Sequence, residues 1–306
     1  MNLIEDIKKQ GFLVLAPMAA INCTAFRMLC KENGASLIYT QMINCDLMKD
    51  KTTNELKNFI NIKDCERPVV VQLIGSDVKN ILNVAKKVEN IADLIDLNMG
   101  CVLDDYVNKG SGAALLNDLD KVEEIIKALK SNVNKPISAK IRIGWDSQTI
   151  NAVKVVRLLE KCGVDLVCIH GRTYEQKYSG KINWSLIKQV KELVNVPIIA
   201  NGNVESYELG LDLKQKTGAD FVMIGRCAKH SPWVFNKDFI KNNQNVKKQI
   251  LRFIELYLIH ENRQSVNELR EHVFWMLKDY KTKINMKVVH TLKSIKEIEN
   301  FIKNLN

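Results

Sequence analysis

Eight short apolar runs recur through the first part of this 306-residue chain, at 12–16, 37–39, 68–73, 94–97, 137–143, 164–169, 196–200 and 221–224. They are rich in Val, Ile and Leu and too short for helices of ordinary length. Runs without polar alternation suit strands buried on both faces, as in a parallel sheet covered by helices. Longer amphipathic segments separate them, at 25–31, 78–88, 119–129, 149–161, 184–193 and 206–216. Several open on Asn, Asp or Ser, whose short side chains satisfy free N–H groups at a helix start. Ser76-Asp77 and Asn117-Asp118 are such entries. Gly34, Gly163 and Gly218 close helices and lead into the next run.

Eight strands alternating with helices over about 240 residues predict an α/β fold, the (β/α)8 TIM barrel. After Phe235 the strand pattern stops. The periodicity at 247–260, 265–280 and 286–303 predicts helices only. The expected organisation is a barrel domain over 1–238 and a C-terminal all-helical domain over 239–306.

A parallel barrel gathers the C-terminal ends of its strands on one rim, where catalytic residues sit. The first run ends Ala16-Pro17-Met18-Ala19, whose small residues let a flat ring approach the backbone. The third carries Gln72. The fourth leads to Asn98-Met99-Gly100-Cys101, which puts a thiol just beyond a strand tip. The fifth holds Lys140 and Arg142, on one face by the period of two. The sixth ends His170-Gly171-Arg172, the seventh Asn201-Gly202-Asn203 and the eighth Gly225-Arg226. Glycine beside a polar or basic residue at the last two strands suits a phosphate, which backbone N–H groups and an arginine fork can grip together. His170, with Arg172 two positions on and Lys140 on the neighbouring strand, fits an anionic ligand better than a structural role.

Hydrophobic residues make up 46% of the chain and charged residues 26%, ordinary values for a globular protein. No apolar run is long enough to span a bilayer, and the N-terminus lacks the basic-then-apolar pattern of a signal peptide, so no membrane role and a cytoplasmic location are expected. The eight cysteines form no C-x-x-C pair, which argues against structural zinc or any other metal site and against a disulfide framework. Net charge is +10, and residues 238–306 carry 13 Lys/Arg against 8 Asp/Glu. A basic tail points to a polyanionic partner.

Ala16-Pro-Met-Ala19, Val71-Gln-Leu-Ile-Gly75, Asn98-Met-Gly-Cys101, Gly110-Ser-Gly-Ala-Ala-Leu-Leu116, Lys140-Ile-Arg142, His170-Gly-Arg-Thr173 and Met223-Ile-Gly-Arg226 occur in this order. Together they resemble the tRNA-dihydrouridine synthases, over about residues 10–303. Leu269-Arg-Glu-His272 through Lys278 is similar to that family's tail signature. The resemblance implies an FMN-dependent enzyme that reduces selected tRNA uridines to 5,6-dihydrouridine with NADPH as reductant. It implies that Pro17, Met18, Ala19, Gln72, Lys140, His170, Asn201, Gly202, Asn203, Gly225 and Arg226 hold the cofactor. It further implies that Cys101 is the general acid, that Asn98, Arg142 and Arg172 meet the substrate, and that the helical tail holds tRNA. Two other readings fit the same rim: an FMN barrel reductase acting on a free pyrimidine or other small molecule, and an inactive tRNA-binding flavoprotein. The chain departs from the family pattern after the cysteine. Val102 replaces a proline, Asp104-Asp105 replace basic residues, and Gln41 stands where glutamate is common.

Overall fold

The computed structural model describes residues 3–19, 21, 23–280 and 286–305. Its eight strands close into a parallel barrel in sequence order: β1 (Leu13–Leu15), β2 (Leu37–Asn44), β3 (Val69–Ile74), β4 (Leu94–Met99), β5 (Ile137–Arg142), β6 (Leu166–His170), β7 (Ile198–Asn201) and β8 (Phe221–Ile224), with β8 pairing back onto β1. Every predicted run coincides with a strand. β2 is longer than its apolar run because its pairing with β3 shifts register between Tyr39 and Met42. This bulge carries Thr40 and Gln41 past the ladder, and bulges at barrel rims commonly re-aim side chains in this way.

The period of two divides each strand between two cores. Ile95, Leu97 and Met99 face the surrounding helices, while Leu94 faces the barrel interior with Val14, Leu37, Val70, Leu166, Ile199 and Phe221. Inward positions nearer the C-terminal ends are polar: Gln72, Asp96, Asn98, Ser138, Lys140 and His170. The opposite end is sealed by Leu3–Gln10, a helix the sequence reading did not anticipate, whose Ile4 and Ile7 join the interior core. The barrel is thus closed with hydrocarbon at one end and lined with hydrogen-bonding groups at the other.

The barrel helices match the predicted segments, with caps where expected. Asp77, Asp118 and Ser206 each accept a backbone N–H inside the helix they open, and Gly218 ends Tyr207–Thr217 with φ +69°. The helix expected over 149–161 begins later, at Ala152. Asp146 accepts the N–H groups of Gln148 and Thr149 and holds that stretch as a turn. Beyond the barrel, Asn243–His260 and Val266–Met276 follow the predicted periodicity. The expected 286–303 helix is two pieces, Met286–Thr291 and Ile295–Lys303, because Ser294 caps the second.

These helices seat against Thr24–Glu32. Asn33 donates to Gln249 over 2.9 Å, Glu261 accepts the Ala25 N–H at 2.9 Å, and Arg252 pairs with Glu32. Arg27 pairs with Glu66 at 2.6 Å, both fully buried, and fixes the same helix to the segment before β3. Removing either partner would strand a charge at a cost of about 3–5 kcal/mol.

Candidate active site at the barrel rim

Cys101 lies two residues beyond β4, half-buried. Asn98 Oδ1 accepts the N–H of Gly100 at 3.0 Å and of Cys101 at 2.8 Å, which curls the chain around the end of the strand. The Cys101 carbonyl accepts the Ala113 N–H at 2.9 Å, so the glycine-rich stretch folds back under the thiol. Gly112 makes this possible: its φ is +62°, and a Cβ there would lie 2.8 Å from the Cys101 oxygen. Burial pushes the Cys101 thiol up, opposed by the Leu103 and Val102 amides and by Arg142 and Lys140. A thiol kept protonated near neutral pH can donate a proton.

The predicted polar tips face one another across the rim. Lys140 Nζ donates to Asn201 Oδ1 at 3.2 Å, and Asn201 Nδ2 donates to the Met223 carbonyl at 3.0 Å. Asn203 Oδ1 accepts from Arg172 at 3.2 Å and from Arg226 at 2.7 Å. Gly202 is packed so closely that a Cβ would meet Ile182 at 2.7 Å, and Gly225 would meet only Ala16, at 3.4 Å. Pro17 and Met18 are half-buried and Ala19 exposed, on the β1 edge joined to β8.

His170 sits in register between Arg142 on β5 and Asn201 on β7. Burial, with Lys140, Arg142, Arg172 and Arg226 nearby, depresses it to about 2, so the imidazole is neutral. Among the described residues no carboxylate forms an ion pair with any of these four cations. Four converging cations, with only the buried Asp96 close enough to act on Lys140, favour an anion from outside the chain.

Arg142, Arg172 and Gln72 are engaged more fully within the protein than the sequence indicated. Arg142 donates to the carbonyls of Gly100 at 2.9 Å, Thr173 at 2.7 Å and Lys177 at 2.7 Å, and burial lowers it to about 10. Arg172 also donates to the Gly180 carbonyl at 2.8 Å. Gln72 is buried, donates to Asp96 at 2.7 Å and accepts from Asn98 at 2.8 Å.

Two residues at or beneath the rim lie outside the set predicted from sequence. Tyr178, 54% exposed, stands beside the Arg142 and Arg226 guanidinium groups at 5.7 and 5.5 Å from its ring centre. Nothing in its local sequence marked it. Asp96 is fully buried beneath the rim. Its signal was available, since 94, 96 and 98 share the inward face of β4.

Of the departures, Val102 is buried, whereas Asp104 and Asp105 are exposed in the first turn of the short helix Asp104–Val107. In the tail, His272 is buried among Phe26, Phe253 and Trp275, with its ring 3.6 Å from Cys23 Sγ. Lys229 lies 3.7 Å from the Trp275 ring centre. Among the described residues no group of three or more His, Cys, Asp or Glu is placed to hold a metal, and no helix is long and apolar enough to cross a membrane.

A family model described as dihydrouridine synthase matches residues 14–305. The chain is 32% identical over 289 residues to tRNA-dihydrouridine synthase B of Xanthomonas axonopodis pv. citri, covering 90% of this chain and 87% of that one. It is 34% identical over 290 residues to tRNA-dihydrouridine synthase B of Vibrio parahaemolyticus, covering 90% and 89%. With the protein of the same name from Pseudomonas aeruginosa it shares 33% over 277 residues, covering 87% and 83%. A closed parallel barrel and a match along nearly the whole chain lead to one assignment: this protein belongs to the dihydrouridine synthase family of enzymes.

Proposed function

We propose that this enzyme reduces uridines in tRNA to 5,6-dihydrouridine, with FMN at the barrel mouth and NADPH as reductant. The supporting observation is the half-buried Cys101 at the edge of a cationic rim whose four cations form no ion pair with a carboxylate among the described residues. Arg226, Arg172 and Asn203, with Gly202 and Gly225, suit the phosphate and sugar chain of a flavin nucleotide. Pro17, Met18 and Ala19 leave low relief for a flat ring, Lys140, His170 and Asn201 offer polar atoms to its edge, and Gln72, buried and bonded to Asp96 and Asn98, supports the rim from beneath.

FMN held there and reduced by NADPH would supply the hydride for C6 of the uracil ring. Charge then developing at C5 and O4 needs a proton, and Cys101 donates it to C5. A thiol is suited to this task because it is largely protonated at neutral pH, whereas an exposed carboxyl is not. Asn98 and Arg142 adjoin the loop that carries the thiol, and with Arg172 further along the rim they would orient the uracil. The base must leave the tRNA stack to arrive, at a cost of a few kcal/mol. The helices from Asn243–His260 onward, with Lys229 and Lys278 flanking Trp275 and Phe274, hold the tRNA through phosphates.

The test is dihydrouridine formation by the purified flavin-loaded protein with NADPH, on unmodified tRNA and on free uridine monophosphate. Turnover on tRNA alone supports the reading. Equal turnover on the free nucleotide would favour a small-molecule reductase, and none on either would favour an inactive flavoprotein.

A further inference from the structure

A hydrogen-bonded chain runs through the barrel beneath the rim and ends at the thiol-bearing loop. Register places Gln72, Asp96 and Ser138 side by side on β3, β4 and β5. Ser138 Oγ donates to one oxygen of Asp96, and Gln72 Nε2 donates to the other at 2.7 Å. That leaves Gln72 Oε1 to accept from Asn98 Nδ2 at 2.8 Å, and so turns Asn98 Oδ1 toward the N–H groups of Gly100 and Cys101.

The chain has a direction, and Asp96 sets it. An amide can be turned either way, so Gln72 and Asn98 alone do not fix which end faces the loop. An ionised carboxylate only accepts, and it therefore compels Gln72 to present its NH2 downward and its oxygen upward. Asp96 has no exposed surface, and burial raises it to about 6, which leaves it ionised above neutral pH. Retaining a carboxylate inside a barrel is costly unless its oxygens are bonded, as they are here.

We propose that Asp96 is a positioning residue for the reaction: acting through Gln72 and Asn98, it fixes the backbone at Gly100 and Cys101 and thereby the place of the thiol. The proposal rests on Cys101 as proton donor. Asp96 itself touches neither substrate nor thiol.

The experiment compares Asp96→Ala and Asp96→Asn in the full-length flavin-loaded enzyme, each alone and combined with Cys101→Ala. Asp96→Ser, whose hydroxyl is too short to reach Gln72, replaces Asp96→Ala if that variant unfolds. Misplacement of a reacting group by about 1 Å can cost up to about a hundredfold, so Asp96→Ala is expected to lower kcat at least about tenfold, with the KM for tRNA nearly unchanged. Iodoacetamide labelling of Cys101, followed by peptide mass, should quicken about threefold or more as the loop loosens and the thiol becomes better solvated. Asp96→Asn still offers one oxygen to Gln72 but, as an amide, can also turn its NH2 that way, so it should restore both values only in part. In the Cys101→Ala background Asp96→Ala should change residual turnover little, because the group it positions is gone. Unchanged Cys101 labelling in Asp96→Ala, or an equal loss of turnover with and without the thiol, would overturn the proposal. Full turnover in Cys101→Ala alone would instead remove the proton-donor reading, and the labelling rates would still decide whether Asp96 places the loop.

Discussion

Asn98 Oδ1 accepts the backbone N–H of Cys101 at 2.8 Å, so a residue next to the end of the strand also holds the residue that carries the thiol. Position, rather than a lowered pKa, equips this cysteine, since burial pushes its thiol up. Cys101→Ala should therefore keep its bound flavin while losing about 100-fold or more in dihydrouridine formation, the usual worth of a placed general acid. Flavin absorbance and single-turnover reduction of tRNA check the two halves. Unaltered turnover would remove Cys101 from the chemistry.

Gly112→Ala should damage the same site from below. Its φ of +62° disfavours any side chain, and the new Cβ would sit 2.8 Å from the Cys101 carbonyl oxygen. The expected loss is about 1–3 kcal/mol of stability, from the disfavoured backbone conformation and steric overlap. Turnover should fall as the loop shifts. Urea unfolding and kcat measured together provide the check, and a variant equal to the parent in both would show that the loop accommodates the methyl group freely.

Arg226→Ala should weaken retention of FMN far more than that of riboflavin. Arg226 is exposed and donates at 2.7 Å to Asn203, which Arg172 also holds, so its loss leaves the fold intact while removing a guanidinium suited to a phosphate. Titration of the flavin-free protein with each ligand gives the comparison. Equal weakening for both ligands would place the phosphate elsewhere.

Acid should destabilise the flavin-free protein through His170. Its pKa in the fold, about 2, lies below its ordinary value of 6.5. The unfolded chain thus binds a proton that the folded chain refuses, and stability present above pH 6.5 is lost as the pH falls below it, by up to about 1.4 kcal/mol per pH unit. His272, depressed to about 3, adds in the same direction, and Asp96, raised to about 6, opposes it. Urea unfolding at pH 7, 6 and 5 should show a smaller slope for His170→Gln than for the parent. Identical slopes would mean that His170 protonates freely in the fold.

Reversing the acidic pair next to the active loop should strengthen RNA binding. Asp104 and Asp105 are exposed a few residues past Cys101, where phosphates of an approaching tRNA would be repelled. The double variant Asp104→Lys/Asp105→Lys is expected to bind tRNA more tightly at low salt. Its log affinity should fall more steeply with log salt, by about one in slope for each phosphate that a new lysine neutralises. No change in slope would show that the loop stays clear of the RNA. Lysine-to-alanine changes in the tail, at Lys241 and Lys278, should act in the reverse sense. Lys281 and Lys283 of that basic stretch lie outside the described residues.

Strand and helix order were legible because they depend on neighbours in sequence. Apolar runs such as 94–97, the caps Asp77 and Asp118, and the period of two that sets Lys140 beside Arg142 are local properties, and together they determined a parallel barrel with a thiol and basic tips on one rim. The tertiary structure alone decided which tips meet and in what charge state. Gln72 reads as a free amide until register sets it beside Asp96, and the helix Leu3–Gln10 reads as ordinary until closure gives its Ile4 and Ile7 a barrel end to fill. His170 is held neutral because closure buries it and brings Lys140, Arg142, Arg172 and Arg226 around it. Hydrogen-bond direction and burial depend on groups brought together from distant parts of the chain, and local spacing carries no record of those distances.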